Sequence, residues 1–253
     1  MRRLLLVIYW GAAAFLIPWI LVLLRTQRPV VYDYHSRLLW LAIGVVMLGA
    51  LVVTGILCWT SSRYVVVTAT FTGTFLFIGA WFGVLTSTGL LQKVLVGFAV
   101  VLQFPVTILS LVIAYRMTRQ RTNPRELSRV VPVAFLVGAV LMIPSTLRRI
   151  ARVAPIHLGL HQRVAWSGLD VLELAGLLWT GWCVKERSPW LAMAATATGT
   201  LLFSDALYNI VTSKGSGFLA GVVMAVIAEL PLAALSYRLA IREIGTWASQ
   251  RDV

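Results

Sequence analysis

Charged residues are scarce in this chain of 253 residues, and acidic residues are the scarcest of them. Only 12% of the residues are charged whereas 59% are hydrophobic, and 9 acidic residues stand against 22 lysines and arginines. A soluble domain of this length needs a larger charged fraction to cover its surface. The composition therefore excludes an ordinary water-soluble globular protein.

Cysteine and histidine are also rare, and familiar catalytic motifs are missing. Cys58 and Cys183 have no neighbour at the spacing of a metal site or a redox pair, and the three histidines fall in predicted loops. The sequence has no Walker loop, no dinucleotide-binding glycine motif, and no HExxH or CxxC element. These absences leave ATP hydrolysis and familiar metal chemistry without support, so we expect no cofactor and no metal ion.

Long apolar runs are what the sequence has in abundance. A helix needs about 20 apolar residues to cross a bilayer. Runs of this length occupy residues 4–24, 38–60, 64–87, 94–115, 130–147, 165–184, 190–212 and 217–240. We therefore predict an all-α integral membrane protein with about eight transmembrane helices. The net charge of +13 then suits anionic lipid headgroups, and we expect no nucleic acid as a partner.

The two halves of the chain align without a gap at an offset of 126 residues. At this offset Pro105 lies over Pro231, and Thr54 lies over Thr180. Shared hydrophobicity alone would not align such residue types at one fixed distance. The sequence therefore predicts two parallel four-helix repeats, residues 1–126 and 127–253.

Arginines cluster between the fourth and fifth predicted helices. They are Arg116, Arg119, Arg121, Arg125 and Arg129. The positive-inside rule places this loop in the cytoplasm. With an even number of helices in each half, we expect both termini on the cytoplasmic side of the cell membrane.

Acidic residues interrupt the predicted helices of the second repeat only. They are Asp170, Glu173, Asp205 and Glu229, and their counterparts in the first repeat are Gly44, Met47, Gly79 and Gln103. An ionisable group inside a membrane span costs about 2.5–3.5 kcal/mol on insertion scales and is a candidate for function. We therefore interpret the first repeat as a scaffold and the second as the repeat with a polar site.

Helical spacing groups these residues into a candidate site. Trp166, Asp170 and Glu173 recur at i, i+4 and i+7 and share one helix face, while Asp205 and Tyr208 share another. We expect a small cation or a lipid-like ligand to bind at Asp170, Glu173, Asp205, Tyr208 and Glu229. The residues expected at the outward-facing mouth of the pocket are His161, Arg163 and Trp166. Alternatively, Asp170 or Glu173 forms a structural ion pair with Arg163 or Arg149.

Three segments of the second half resemble a group of bacterial polytopic integral membrane proteins of uncharacterised activity. The shared patterns are W-x-G-x-D at Trp166–Asp170, D-A-x-F-D at Asp205–Asn209 and E-x-P-x-A at Glu229–Ala233. The similarity covers roughly residues 155–240, and Tyr208-Asn209 stands where an aromatic–acid pair is usual. The resemblance implies that these positions are important, and it implies no activity.

The sequence favours a transport or small-ligand-binding protein with an acidic pocket, and it favours catalysis less. Two alternatives stay open. A carboxylic acid kept protonated by an apolar site can act as a general acid, which would suit a membrane-embedded enzyme acting on a lipid or isoprenoid. The acids could instead bind a basic helix of a partner, which would make the protein an accessory membrane subunit.

Overall fold

The computed structural model describes residues 2–25, 34–86, 89–119, 130–151, 160–212 and 216–246. These residues are helical apart from two short turns, and no strand occurs among them. The helices are α1 (Arg2–Arg25), α2 (Tyr34–Thr60), α3 (Val65–Thr86), α4 (Gly89–Phe98), α5 (Phe104–Arg119), α6 (Val130–Ala151), α7 (Leu160–Lys185), α8 (Leu191–Thr212), α9 (Ser216–Met224) and α10 (Leu230–Thr246). The predicted all-α class is confirmed.

Four helical stretches in the described part of the chain are long and apolar enough to cross a membrane. They are Leu41–Thr60, Val65–Leu85, Lys93–Arg119 and Gly221–Gly245, and they match four of the eight predicted runs. The helices α7 and α8 have 26 and 22 residues. Their polar side chains, the acids among them, lower their mean hydropathy.

Two π-helical turns join consecutive helices into longer ones. Ala99–Gln103 joins α4 to α5, and Ala225–Glu229 joins α9 to α10. Each turn is closed by a backbone hydrogen bond that spans five residues, from Phe104 N–H to the Ala99 oxygen and from Leu230 N–H to the Ala225 oxygen. A proline, Pro105 or Pro231, is the second residue after the turn in each case. Proline has no N–H and its ring meets the carbonyl one turn back, and the wider turn accommodates both constraints without ending the helix.

The core of the molecule lies where α3 packs against α8. Within the first half α3 also packs on α2 and α5, and within the second half α8 also packs on α7 and α10. Across the interface, α7 reaches α3 and α2 reaches α8. One apolar cluster includes residues from both halves, among them Leu76, Phe82, Leu169 and Tyr208.

Local geometry recurs at the same offset of 126 residues. The hydroxyl oxygens of Thr54 and Thr72 lie 2.9 Å apart, and those of Thr180 and Thr198 lie 2.9 Å apart. Ser61 follows α2 with a φ of 55°, and Arg187 follows α7 with a φ of 51°. Both are the left-handed residue that commonly terminates a helix. The two π-helical turns are also separated by 126 residues.

Candidate functional site

Three of the predicted acids form one buried cluster. Asp170 and Glu173 lie on α7 and Asp205 lies on α8, and one carboxylate oxygen from each lies within 4.8 Å of the other two. All three side chains are at most 3% exposed. The sequence predicted two separate helix faces, and the packing of α7 against α8 brings these faces together.

Asn209 connects this cluster to the fourth acid. Its side-chain nitrogen donates to Asp205 Oδ2 over 3.0 Å and to Glu229 Oε1 over 2.9 Å. Glu229 is the last residue of the second π-helical turn and is buried. The sequence marked Asn209 through the resemblance at Asp205–Asn209 but did not assign it to the ligand-binding residues, although its position four residues after Asp205 places it on the same helix face.

An aromatic trio lies one helical turn from the acids. Tyr208, expected to bind the ligand, stacks on Phe82 at 4.2 Å between ring centroids and meets Trp166 edge-on at 5.6 Å. Phe82 and Trp166 also meet edge-on, at 5.2 Å. Phe82 was not among the predicted site residues. Its position could have been noticed because Phe82 is the counterpart of Tyr208 at the offset of 126 residues.

The other expected residues at the mouth cannot be assigned a position in this cluster. His161 and Arg163 fall within α7, and their side chains lie outside the described residues. The same holds for Arg149, the alternative ion-pair partner. Trp166, the third residue expected at the mouth, is half-buried and packs edge-on against Phe82 in the aromatic trio.

The counterparts of the four acids also converge, and they surround a small cavity. Gly44, Met47, Gly79 and Gln103 all line a space with about 20 Å³ available to water. A single buried water needs roughly 10–15 Å³ on this measure. The same positions therefore hold four carboxylates in the second half and a water-sized cavity in the first.

The acid cluster has the geometry of a cation-binding site. Oxygen ligands lie 2.3–2.6 Å from a calcium ion, so two oxygens on one such ion are at most about 5 Å apart. The three carboxylate oxygens within 4.8 Å of one another meet this condition. A motif search does not find such a ligand set, because its members come from two helices that are distant in sequence. Protons on some of the carboxyl groups, or the ion pair of Asp170 or Glu173 with Arg163 or Arg149 expected from the sequence, would also balance the charge.

No protein-family model, curated protein or solved structure matches this chain.

Proposed function

We propose that this protein binds a small cation at the buried acids of its second half and carries it across the membrane. The observation that carries this proposal is the convergence of Asp170, Glu173 and Asp205 within 4.8 Å of one another. Like charges at this separation repel strongly in an apolar interior, and a shared cation converts the repulsion into attraction. Asn209 extends the site to Glu229.

The proposed architecture is a bundle of eight membrane spans in two parallel four-helix repeats, residues 1–126 and 127–253. The recurrent threonine pairs, helix ends and π-helical turns support it. The stack of Phe82 on Tyr208 adds to this support, because equivalent residues touch one another where a two-fold axis passes between repeats. The arginines between the repeats favour cytoplasmic termini.

The difference between the repeats supports a site in the second repeat alone. Helix packing alone does not require acids at these four positions. The equivalent positions of the first half have glycine, methionine and glutamine. The cavity beside Tyr208 and Ser204 has no room for a water, which favours a small ligand over a lipid.

Cation binding to protein purified into lipid nanodiscs tests this function directly. Thermal unfolding is measured against increasing Na⁺, Mg²⁺ and Ca²⁺ for the wild type and for Asp205→Asn. We expect one of these cations to raise the unfolding temperature, since a ligand at 100 times its Kd adds about 2.7 kcal/mol of stability. Asp205→Asn should weaken binding at least tenfold, because it removes one charged ligand from the set.

Glu186→Gln is the matched control, since it makes the same chemical change at an exposed acid beyond the end of α7. Its cation response should equal that of the wild type. Uptake of the bound cation into proteoliposomes then separates transport from binding alone. An identical cation response in the wild type and Asp205→Asn would refute a cation site at these acids and leave a structural or accessory role.

A further inference from the structure

A line of hydroxyl groups runs along α8 and ends at Ser204, one residue before Asp205. Thr196, Thr200 and Ser204 are spaced by four residues, so they share one helix face, and all three are buried. Each hydroxyl donates to the backbone carbonyl four residues earlier, over 2.7–2.8 Å. The oxygen lone pairs of these side chains remain able to accept a further hydrogen bond. Asp205 is the next residue after Ser204.

One polar side chain of α10 contacts this line, and three others lie on a neighbouring face of the same long helix. The Tyr237 hydroxyl donates to Thr200 Oγ1 over 3.2 Å, which links the two helices. Gly199 permits this close packing, because a Cβ at that position would lie 3.1 Å from Ser236 Cβ. Glu229, Ser236 and Glu243 are spaced by seven residues and lie on one face of the helix, and all three are buried.

Comparison with the first half separates packing residues from additional polar groups. Thr196, Thr200 and Ser236 have the counterparts Thr70, Thr74 and Ser110, so their hydroxyls belong to the architecture common to both halves. Ser204, Tyr237 and Glu243 have the counterparts Ile78, Leu111 and Met117. The second half thus has an ionisable group and a tyrosine hydroxyl between these helices, where the first half has threonine hydroxyls at other positions, such as Thr107, whose counterpart is Ala233.

We propose that the α8–α10 interface is a proton route that connects the acid cluster to Glu243. This inference rests on the cation-binding function proposed above and names protons as a second species handled by the same acids. Glu243 lies 14 residues after Glu229, or about 21 Å along the helix, and close to the end of α10 at Thr246. In the proposed topology this end of α10 faces the cytoplasm.

Proton transfer along the route uses the hydroxyl groups in sequence. Each hydroxyl first turns its proton away from the backbone carbonyl, then accepts a proton on a lone pair and releases its own proton to the next group, so no net charge is left on any hydroxyl. Tyr237 and Thr200 are already hydrogen-bonded. Neighbouring groups along α8 are about 6 Å apart by helical rise, a gap that one water molecule bridges.

Proton flux into proteoliposomes that contain a pH-sensitive dye tests the route. A membrane potential drives protons inward, and the rate of internal acidification is measured. Tyr237→Phe and Glu243→Gln should each reduce the flux at least fivefold, while cation affinity at the acid cluster stays within twofold of the wild type. Tyr9→Phe is the matched control: Tyr9 is a buried tyrosine of the first half, and its hydroxyl lies 2.8 Å from Ser110 Oγ. Its flux should remain at the wild-type level.

The possible results separate the two proposals. Cation binding without proton flux in the wild type would overturn the route and leave the binding function intact. Flux that is unchanged in both variants would also overturn it. If Glu243→Gln does not fold, as judged by gel filtration, then Tyr237→Phe and Ser204→Ala decide the matter, and unchanged flux in these two variants refutes the route.

Discussion

Asn209 joins acids from two helices through a single amide group. Its nitrogen has two hydrogens, and each can serve one of the carboxylates of Asp205 and Glu229. Hydrogen bonds to charged groups contribute about 1.5–3 kcal/mol each to stability. The side chain therefore acts as a clamp within the site, and it also holds the π-helical turn of Glu229 against α8.

Replacement of Asn209 should reveal this clamp. We expect Asn209→Leu to lower the free energy of unfolding by about 2–4 kcal/mol, because both donors are lost. The effect is measured by thermal unfolding in detergent. Asn209→Asp should also destabilise the protein, through repulsion among the acids, and added cation should restore its unfolding temperature. The same cation should restore the unfolding temperature of Asn209→Leu to a smaller degree. If the unfolding temperatures of both variants recover equally, charge repulsion is not the cause of the instability of Asn209→Asp.

The sequence identified the acids of the site and not their connections. A charged residue in an apolar run is visible by itself, which is why Asp170, Glu173, Asp205 and Glu229 could be named. Asn209 and Phe82 are ordinary residues by composition. Their roles depend on side chains from other helices, and no pattern within one helix reports such neighbours.

The π-helical turns change the direction in which side chains point along the two long helices that they create, α4–α5 and α9–α10. One extra residue in a turn rotates everything after it by about 100° relative to what precedes it. Glu229 and Gln103 are the last residues of these turns, and both are buried. The turn at Ala225–Glu229 is therefore part of what directs Glu229 toward Asn209.

Removal of the proline should disturb the site in the second half and not in the first. In Pro231→Ala the backbone regains an N–H, which favours a regular α-helix and rotates Glu229 away from Asn209. We expect cation affinity to fall at least fivefold in a nanodisc binding assay. Pro105→Ala makes the same change beside Gln103 and should leave the affinity unchanged. Equal losses in both variants would indicate a general effect on the bundle.

Helix extents were well predicted where apolar runs end at polar residues. The predicted run 64–87 corresponds to α3 at Val65–Thr86, and 190–212 corresponds to α8 at Leu191–Thr212. The π-helical turns were not predicted. A proline indicates that the helix departs from regular α geometry nearby. It does not indicate how, because a kink, a break and a wider turn are all compatible with the missing N–H.

For the molecule as a whole, the contact between the two halves depends on close approach at a glycine. Trp81 of α3 donates from its ring nitrogen to the Ala165 carbonyl of α7 over 3.1 Å. A Cβ on Gly168 would lie 2.6 Å from this indole ring. Trp81 can occupy its position because the α7 residue opposite it has no side chain.

A larger residue at this contact should weaken the packing of the two halves. We expect Gly168→Val to lower the unfolding free energy by about 1–3 kcal/mol through overpacking, measured by thermal unfolding of the purified protein. Gly97→Val is the matched control, because a Cβ on exposed Gly97 meets no atom within 4 Å. Comparable losses in the two variants would indicate that helix propensity, and not the contact with Trp81, determines the result.

The internal alignment predicted which residues correspond, and it could not predict which helices touch. An offset of 126 residues pairs Phe82 with Tyr208 and Gly79 with Asp205 in the sequence. Phe82 and Tyr208 are in direct contact because of the way α3 packs against α8. Many small contacts between apolar surfaces determine this packing. Such surfaces look alike in composition, so their mutual orientation is not encoded in any short pattern.

In the proposed two-repeat architecture, the stack of Phe82 on Tyr208 has a consequence for how the two repeats can diverge. In a symmetric dimer of two separate chains, a residue on the axis meets its own copy, and one mutation alters both partners at once. Here both rings belong to a single chain, so one gene can encode phenylalanine on one side and tyrosine on the other. Tyr208 can thus have a hydroxyl near the acids while Phe82, the equivalent ring opposite it, has none.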